Sequence, residues 1–188
     1  MTFFKENLPN YLTLARILAV PFLVIFYFLE SGNKYITCGL FIVACITDLL
    51  DGYFSRKWGV TSKFGALMDP IADKLLVVTA LALLISTNNT HIIPAIGIMC
   101  REIFISGLRD FIAKNSEDMP VTRLSKWKTA AQMTSISILL LIPEYEVQMS
   151  FLIKSLFYTG YIMLWAAFLV TVYTGYRYYI TAKEKELI

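Results

Sequence analysis

Six apolar stretches separated by short polar breaks leave this chain few folds to choose from. They run near 11–29, 35–50, 64–86, 91–108, 127–142 and 151–178. A helix needs about 20 mostly apolar residues to cross about 30 Å of hydrocarbon. Several stretches reach that length only with their polar ends counted, which puts those ends at the membrane surface or against a cavity. In lipid every backbone N–H and C=O must be satisfied inside the protein. The expected fold is therefore an all-α integral membrane protein, a bundle of six transmembrane helices. Composition agrees, with only 16% charged residues where a soluble domain carries about 25%. At 188 residues the chain is long enough for one membrane domain spanning 1–188.

The breaks have turn chemistry. Glu30-Ser-Gly-Asn-Lys34 and Thr87-Asn-Asn-Thr90 interrupt the apolar pattern, Pro143-Glu-Tyr-Glu146 closes the fifth stretch, and Lys114 to Pro120 forms the longest polar connection. The first ten residues carry Phe3 and Phe4 and little positive charge. They read as a short N-terminal interfacial helix and not as a cleavable signal peptide. Cys38, Cys45 and Cys100 lie in apolar runs without metal-site spacing, so they are expected to be reduced packing residues.

Charge sets the orientation. With six spans, the connections at 29–35, 86–91 and 142–151 share one side. That side and its adjoining helix end hold Lys34 and Lys154, while the other fifteen of seventeen Lys and Arg lie on or toward the opposite side. Positive charge marks the cytoplasmic face. Both termini and the connections at 51–64 and 109–126 are thus expected in the cytoplasm, as in a bacterial-type inner (plasma) membrane protein. A net charge of +3 is too small to point to nucleic acid.

The chemistry concentrates on that positive side. The chain reads Asp48-Leu-Leu-Asp51-Gly52-Tyr-Phe-Ser55-Arg56, then, after eight residues, Gly65-Ala-Leu-Met-Asp69-Pro-Ile-Ala-Asp73. Asp48 and Asp51 are three apart and Asp69 and Asp73 four apart, so each pair shares roughly one helix face. A short connection makes their helices antiparallel neighbours, and the pairs can converge. Four converging carboxylates repel one another and need a counter-charge. An all-oxygen donor set favours Mg²⁺, Mn²⁺ or Ca²⁺ over zinc. Two such ions a few Å apart clamp both oxygens of an in-line phosphoryl displacement. Gly52 and Gly65 allow a nucleotide or another helix to approach the backbone closely, and the Arg56 fork suits phosphate oxygens. The plainer alternative pairs the acids with Lys57, Lys63 and Lys74 in solvated loops. Lys74 on its own reads as a snorkelling side chain or a partner of Asp73.

These residues resemble the signature of the CDP-alcohol phosphotransferase family, D-x2-D-G-x2-A-R-x8-G-x3-D-x3-D. Every position matches except Ser55, where the family has Ala. Pro9-Asn10-Tyr-Leu-Thr13-Leu-Ala-Arg16 with Pro21, Arg101-Glu102 through Arg109, and Ser125-Lys126-Trp-Lys128-Thr-Ala-Ala-Gln132 are similar to the branch of that family that makes phosphatidylglycerol phosphate. The resemblance implies a six-helix bundle, usually a homodimer, with its site open to the cytoplasmic leaflet of membrane lipid. It implies CDP-diacylglycerol as donor and two divalent metal ions, Mg²⁺ or Mn²⁺, on Asp48, Asp51, Asp69 and Asp73. Asp73 would also be the general base, and Gly52, Arg56 and Gly65 would contact the donor nucleotide. The acceptor expected from that branch is sn-glycerol 3-phosphate; inositol phosphate, serine or phosphatidylglycerol are the alternatives within the family.

A phosphorylated acceptor needs cations beside the metals. Arg109, Arg101, Lys126, Lys128 and Arg123 are the candidates, and Glu102 is placed to orient Arg109 or Arg101. For Lys126, Lys128 and Arg123 the competing role is attraction to anionic headgroups. Two other classes fit less well. Intramembrane prenyltransferases also gather aspartates and Mg²⁺ around a diphosphate, but without this Gly–Arg–Gly spacing. An ion-coupled transporter would carry acids near mid-membrane in two matching halves, whereas here the acids cluster at one side. His91, on the outer side, reads as an interfacial residue. Tyr173, Tyr176, Tyr178 and Tyr179 read as an aromatic belt.

Overall fold

The computed structural model describes residues 2–29, 34–58, 63–114, 123–142 and 150–184. They form six helices: α1 (Thr2–Phe28), α2 (Lys34–Trp58), α3 (Lys63–Ser86), α4 (Ile92–Lys114), α5 (Arg123–Leu141) and α6 (Phe151–Glu184). The expected breaks at 30–33 and 143–149 lie outside the described residues, as do 59–62 and most of the 114–122 connection.

Three segments are long and apolar enough to cross a membrane by themselves: Asn10–Phe28, Lys34–Tyr53 and Phe151–Glu184. The other three helices bring charged residues inside their length, Asp69, Asp73 and Lys74 in α3, Arg101 and Glu102 in α4, and Lys126 and Lys128 in α5. The outer surface is that of a protein solvated by lipid. Phe22, Val43, Ile103, Ile162 and Leu169 are each more than half exposed, a density of apolar side chains that water does not tolerate.

The sequence placed six helices correctly but drew several of them short. α2 continues to Trp58, α4 to Lys114 and α6 to Glu184, because charged and aromatic residues extend a helix past the hydrocarbon into the interface. α1 runs unbroken from Thr2. Residues 2–9 are thus its own first turns and not a separate interfacial helix.

All six helices meet in one core, with Leu23, Phe41, Leu81, Ile98, Leu139 and Leu164 fully buried. α1 packs on both α2 and α3, which touch each other least of all the packed pairs. The expected α2–α3 neighbourhood therefore runs largely through α1. α5 packs on α6, α2 and α3, and α4 on α6 and α3. One bundle end is closed by neutral polar groups. Asn88 leaves α3 at a φ of 56°, a conformation asparagine tolerates at a helix C-terminus. Asn89 Nδ2 donates to the Ile142 carbonyl at 3.1 Å, and the Tyr27 and Thr87 hydroxyls share a hydrogen bond of 2.7 Å. Lys34 lies over the Tyr27 ring at this end, and the carboxylates of α2 and α3 lie toward the opposite end.

Candidate active site

The charged end assembles from the middle of α1, the N-terminal halves of α3 and α5, the C-terminal halves of α2 and α6, and α4 from Arg101 onward. Asp48 and Asp51 stand on α2, Asp69 and Asp73 near the start of α3. Between them α1 inserts two polar side chains one turn apart. Arg16, with a side chain 0% exposed, brings Nη1 to 2.8 Å from Asp48 Oδ1, and its Nη2 donates to Asp51 Oδ2. The Thr13 hydroxyl donates to Asp69 Oδ1. Asp48 lies within electrostatic reach of Asp69, and Asp73 within reach of Asp48, Arg16, Lys74 and Glu102. The four carboxylates thus form one electrostatic cluster spanning two helices, and α1 supplies its internal cation.

Among the described residues, neither Lys57 nor Lys74 makes an ion pair with these acids. Among the described residues the ion pairs to these acids come from Arg16. Lys57 lies over the Tyr53 ring at 5.4 Å, and Lys74 Nζ donates to the Pro70 carbonyl at 2.7 Å. Gly65 is buried and Gly52 half-buried, while the side chains of Arg56, Lys63 and Arg123 lie outside the described residues.

The cationic side of the site is built on α4, α5 and α6. Glu102 accepts from Lys128 Nζ and, at 3.4 Å, from Arg101 Nη1. Glu102 therefore orients Arg101, one of the two arginines expected, together with Lys128. Arg101 Nη2 also donates to Thr174 Oγ1 at 3.3 Å. Gly175 makes room for that arginine, since a Cβ there would stand 3.2 Å from Arg101 Cγ. Arg109 lies over the Tyr178 ring at 5.8 Å. Lys126 is exposed, whereas Lys128 is buried and feels the charge of Asp73. The structure thus brings Arg101, Arg109 and Lys128 to the acid end and leaves Lys126 on the outer surface.

Several buried polar atoms around this site have no hydrogen-bond partner among the described residues: Arg16 Nε, Arg101 Nε, Gln132 Oε1 and Tyr178 Oη. Buried polar groups are rarely left so; the opposite end of the bundle has two such atoms as well, Asn89 Oδ1 and Thr90 Oγ1. The sequence reading gave Arg16, Thr13 and Gln132 no role. The signal for Arg16 was present, because an arginine inside an apolar span is costly and usually functional. Tyr178 also departs from the belt, tucked beneath Arg109, while Tyr173, Tyr176 and Tyr179 are exposed as a belt requires. His91 is exposed at the other end, where Nδ1 accepts the Ile93 N–H at 3.3 Å and its ring lies 6.0 Å from Trp165.

The donor set fits a hard divalent ion in its chemistry, being all carboxylate and already holding a cation. Its oxygens are turned elsewhere, two acids to Arg16 and a third to Thr13. Among the described residues no three His, Cys, Asp or Glu side chains are grouped as a formed metal site.

The site can be set beside known proteins. The model of the CDP-alcohol phosphatidyltransferase family matches residues 6–173. A Rickettsia felis protein named CDP-diacylglycerol–glycerol-3-phosphate 3-phosphatidyltransferase is 41% identical over 180 residues, covering 95% of this chain and 97% of the relative. Proteins of the same name from Haemophilus influenzae and Yersinia enterocolitica are 39% and 32% identical, covering 95% and 97% of both chains. With its acids on α2 and α3, its cations on α4 and α5, and this similarity over nearly its whole length, the chain belongs to the CDP-alcohol phosphatidyltransferase family.

Proposed function

We propose that this protein transfers the phosphatidyl group of CDP-diacylglycerol to sn-glycerol 3-phosphate, giving phosphatidylglycerol phosphate and CMP. One observation carries the reading: at a single end of the bundle, the acid cluster of α2 and α3 faces a cluster of cations from α4 and α5, with Glu102 within reach of Asp73 and in turn holding Lys128 and Arg101. A reaction between a diphosphate and a phosphorylated alcohol needs both. The names of the near full-length relatives support the same donor and acceptor.

Asp48, Asp51, Asp69 and Asp73 would hold two divalent ions, Mg²⁺ or Mn²⁺, which when bound neutralise charge on the pyrophosphate and on departing CMP. Gly52 and Gly65 bring the backbone close to the donor nucleotide, and Arg56 grips its phosphate. Arg101 and Arg109 bind the acceptor phosphate, helped by Lys128 and by the more peripheral Lys126 and Arg123. Asp73 accepts the proton of the acceptor hydroxyl as its oxygen attacks the lipid-proximal phosphorus and the bond to CMP breaks. Positioning and electrostatics supply most of the rate.

The whole chain acts as one membrane domain, in a homodimer, with both termini and the site on the cytoplasmic face. The bias of positive charge supports that orientation.

The test is CMP release by purified protein from labelled CDP-diacylglycerol, with each acceptor in turn. Release is expected with glycerol 3-phosphate and not with inositol phosphate, serine or phosphatidylglycerol. Release with only one of the others would replace the acceptor, and no release with any would remove the activity.

A further inference from the structure

We propose that Arg16 is a stand-in cation: it neutralises Asp48 and Asp51 while divalent ions are absent and competes with those ions for the same carboxylate oxygens. This rests on the reading that these two aspartates hold metal.

The geometry points to an exchangeable contact. The Arg16 side chain is fully buried and faces both acids of α2 at once. A guanidinium offers five N–H donors, and here Nη2 donates to Asp51. Nη1 stands 2.8 Å from Asp48 as an ion pair, and Nε has no partner among the described residues. The side chain is thus held between the two acids, with Nε left unused. Without Arg16, two partly buried carboxylates three residues apart would face each other uncompensated. An ion of charge +2 entering between them takes over that compensation, and Arg16 must then give up the oxygens it holds. α1 does the same on α3 in neutral form, where the Thr13 hydroxyl holds Asp69. One face of α1 thus keeps three of the four acids assembled before any metal arrives.

The test compares wild type, Arg16→Gln, Arg16→Lys and Asp48→Asn in detergent. Mn²⁺ affinity is read from the loss of the free-ion paramagnetic resonance signal, and thermal unfolding is followed before and after chelation. Arg16→Gln is expected to bind Mn²⁺ about tenfold tighter, since a competing charge is gone. Stripped of metal, it should unfold at a lower temperature than wild type, and Mn²⁺ should raise that temperature more than it does for wild type. Lysine keeps the charge but loses the fork, so Arg16→Lys should bind about threefold tighter; it decides the matter if the glutamine variant does not fold. Affinity equal to or weaker than wild type in whichever variant folds overturns the competition. Asp48→Asn separates the underlying reading: if it leaves Mn²⁺ binding unchanged, the metal assignment itself falls and the competition with it.

Discussion

Glu102 and Lys128 tie α4 to α5, two helices that make no other close backbone approach among the described residues. The pair spans the site from one wall to the other. Its lysine is 1% exposed and its glutamate 24%, so the two partners differ in what their loss costs. Glu102→Gln leaves a buried ammonium without its counter-charge, which costs about 3 kcal/mol. Unfolding in detergent should show that loss, and Glu102→Gln combined with Lys128→Met should recover most of it. A single Glu102→Gln variant as stable as wild type would mean that the pair holds nothing together.

Metal removal is the second expectation. A chelator should abolish CMP release, and Mg²⁺ or Mn²⁺ should restore it. Asp73→Asn should lower kcat by about 10²–10⁴-fold, the usual contribution of a positioned base, while CDP-diacylglycerol binding survives in part. Turnover near the wild-type rate in Asp73→Asn would take the base role away from this residue.

Much of the fold was legible because a lipid solvent restricts it so strongly: runs of apolar residues can only be helices there, and six runs gave six helices. The ends were less legible. Lys57 on Tyr53 and the charged tail of α6 sit in an interface that tolerates both helix and loop, so hydropathy alone does not mark where a helix stops. The acid spacing was readable because Asp48 and Asp51, and Asp69 and Asp73, lie close in sequence and share helix faces. The partners of Arg16 and Thr13 were not, since they meet those acids across 35 and 56 residues. Such a contact depends on how α1 packs, and no local spacing encodes that. Glu102 illustrates the same limit. Its partner Arg101 is adjacent in sequence, whereas Lys128 is 26 residues away on another helix.

Gly97 of α4 is where the bundle tests its own packing. A Cβ at that position would lie 2.2 Å from Phe168 Cε2 on α6, far inside van der Waals contact. The ring is already packed against the core, so it has to move or α4 has to back away from α6. Gly97→Ala should destabilise the protein by about 1–3 kcal/mol, the usual cost of overpacking. Phe168→Leu added to it should recover part of that loss by thermal unfolding. A Gly97→Ala variant with wild-type stability would show that α4 and α6 are less closely joined than this contact requires.

Arg109 and Lys126 were both candidates for the acceptor phosphate, and their placements give them different expected weights. Arg109 lies over Tyr178 and within reach of Arg101's charge, so two arginines can converge on one phosphate. Lys126 points out from α5 beside the exposed Trp127, where an anionic headgroup is the nearer partner. A charge-assisted hydrogen bond contributes about 1.5–3 kcal/mol. Arg109→Ala should therefore raise the KM for glycerol 3-phosphate about tenfold or more while the KM for CDP-diacylglycerol changes little. Lys126→Ala should change the glycerol 3-phosphate KM by less than about threefold, within the weaker range of a surface charge. If Arg109→Ala shifts that KM no further than Lys126→Ala does, the acceptor phosphate is held elsewhere, and Arg101 with Lys128 becomes the pair to test.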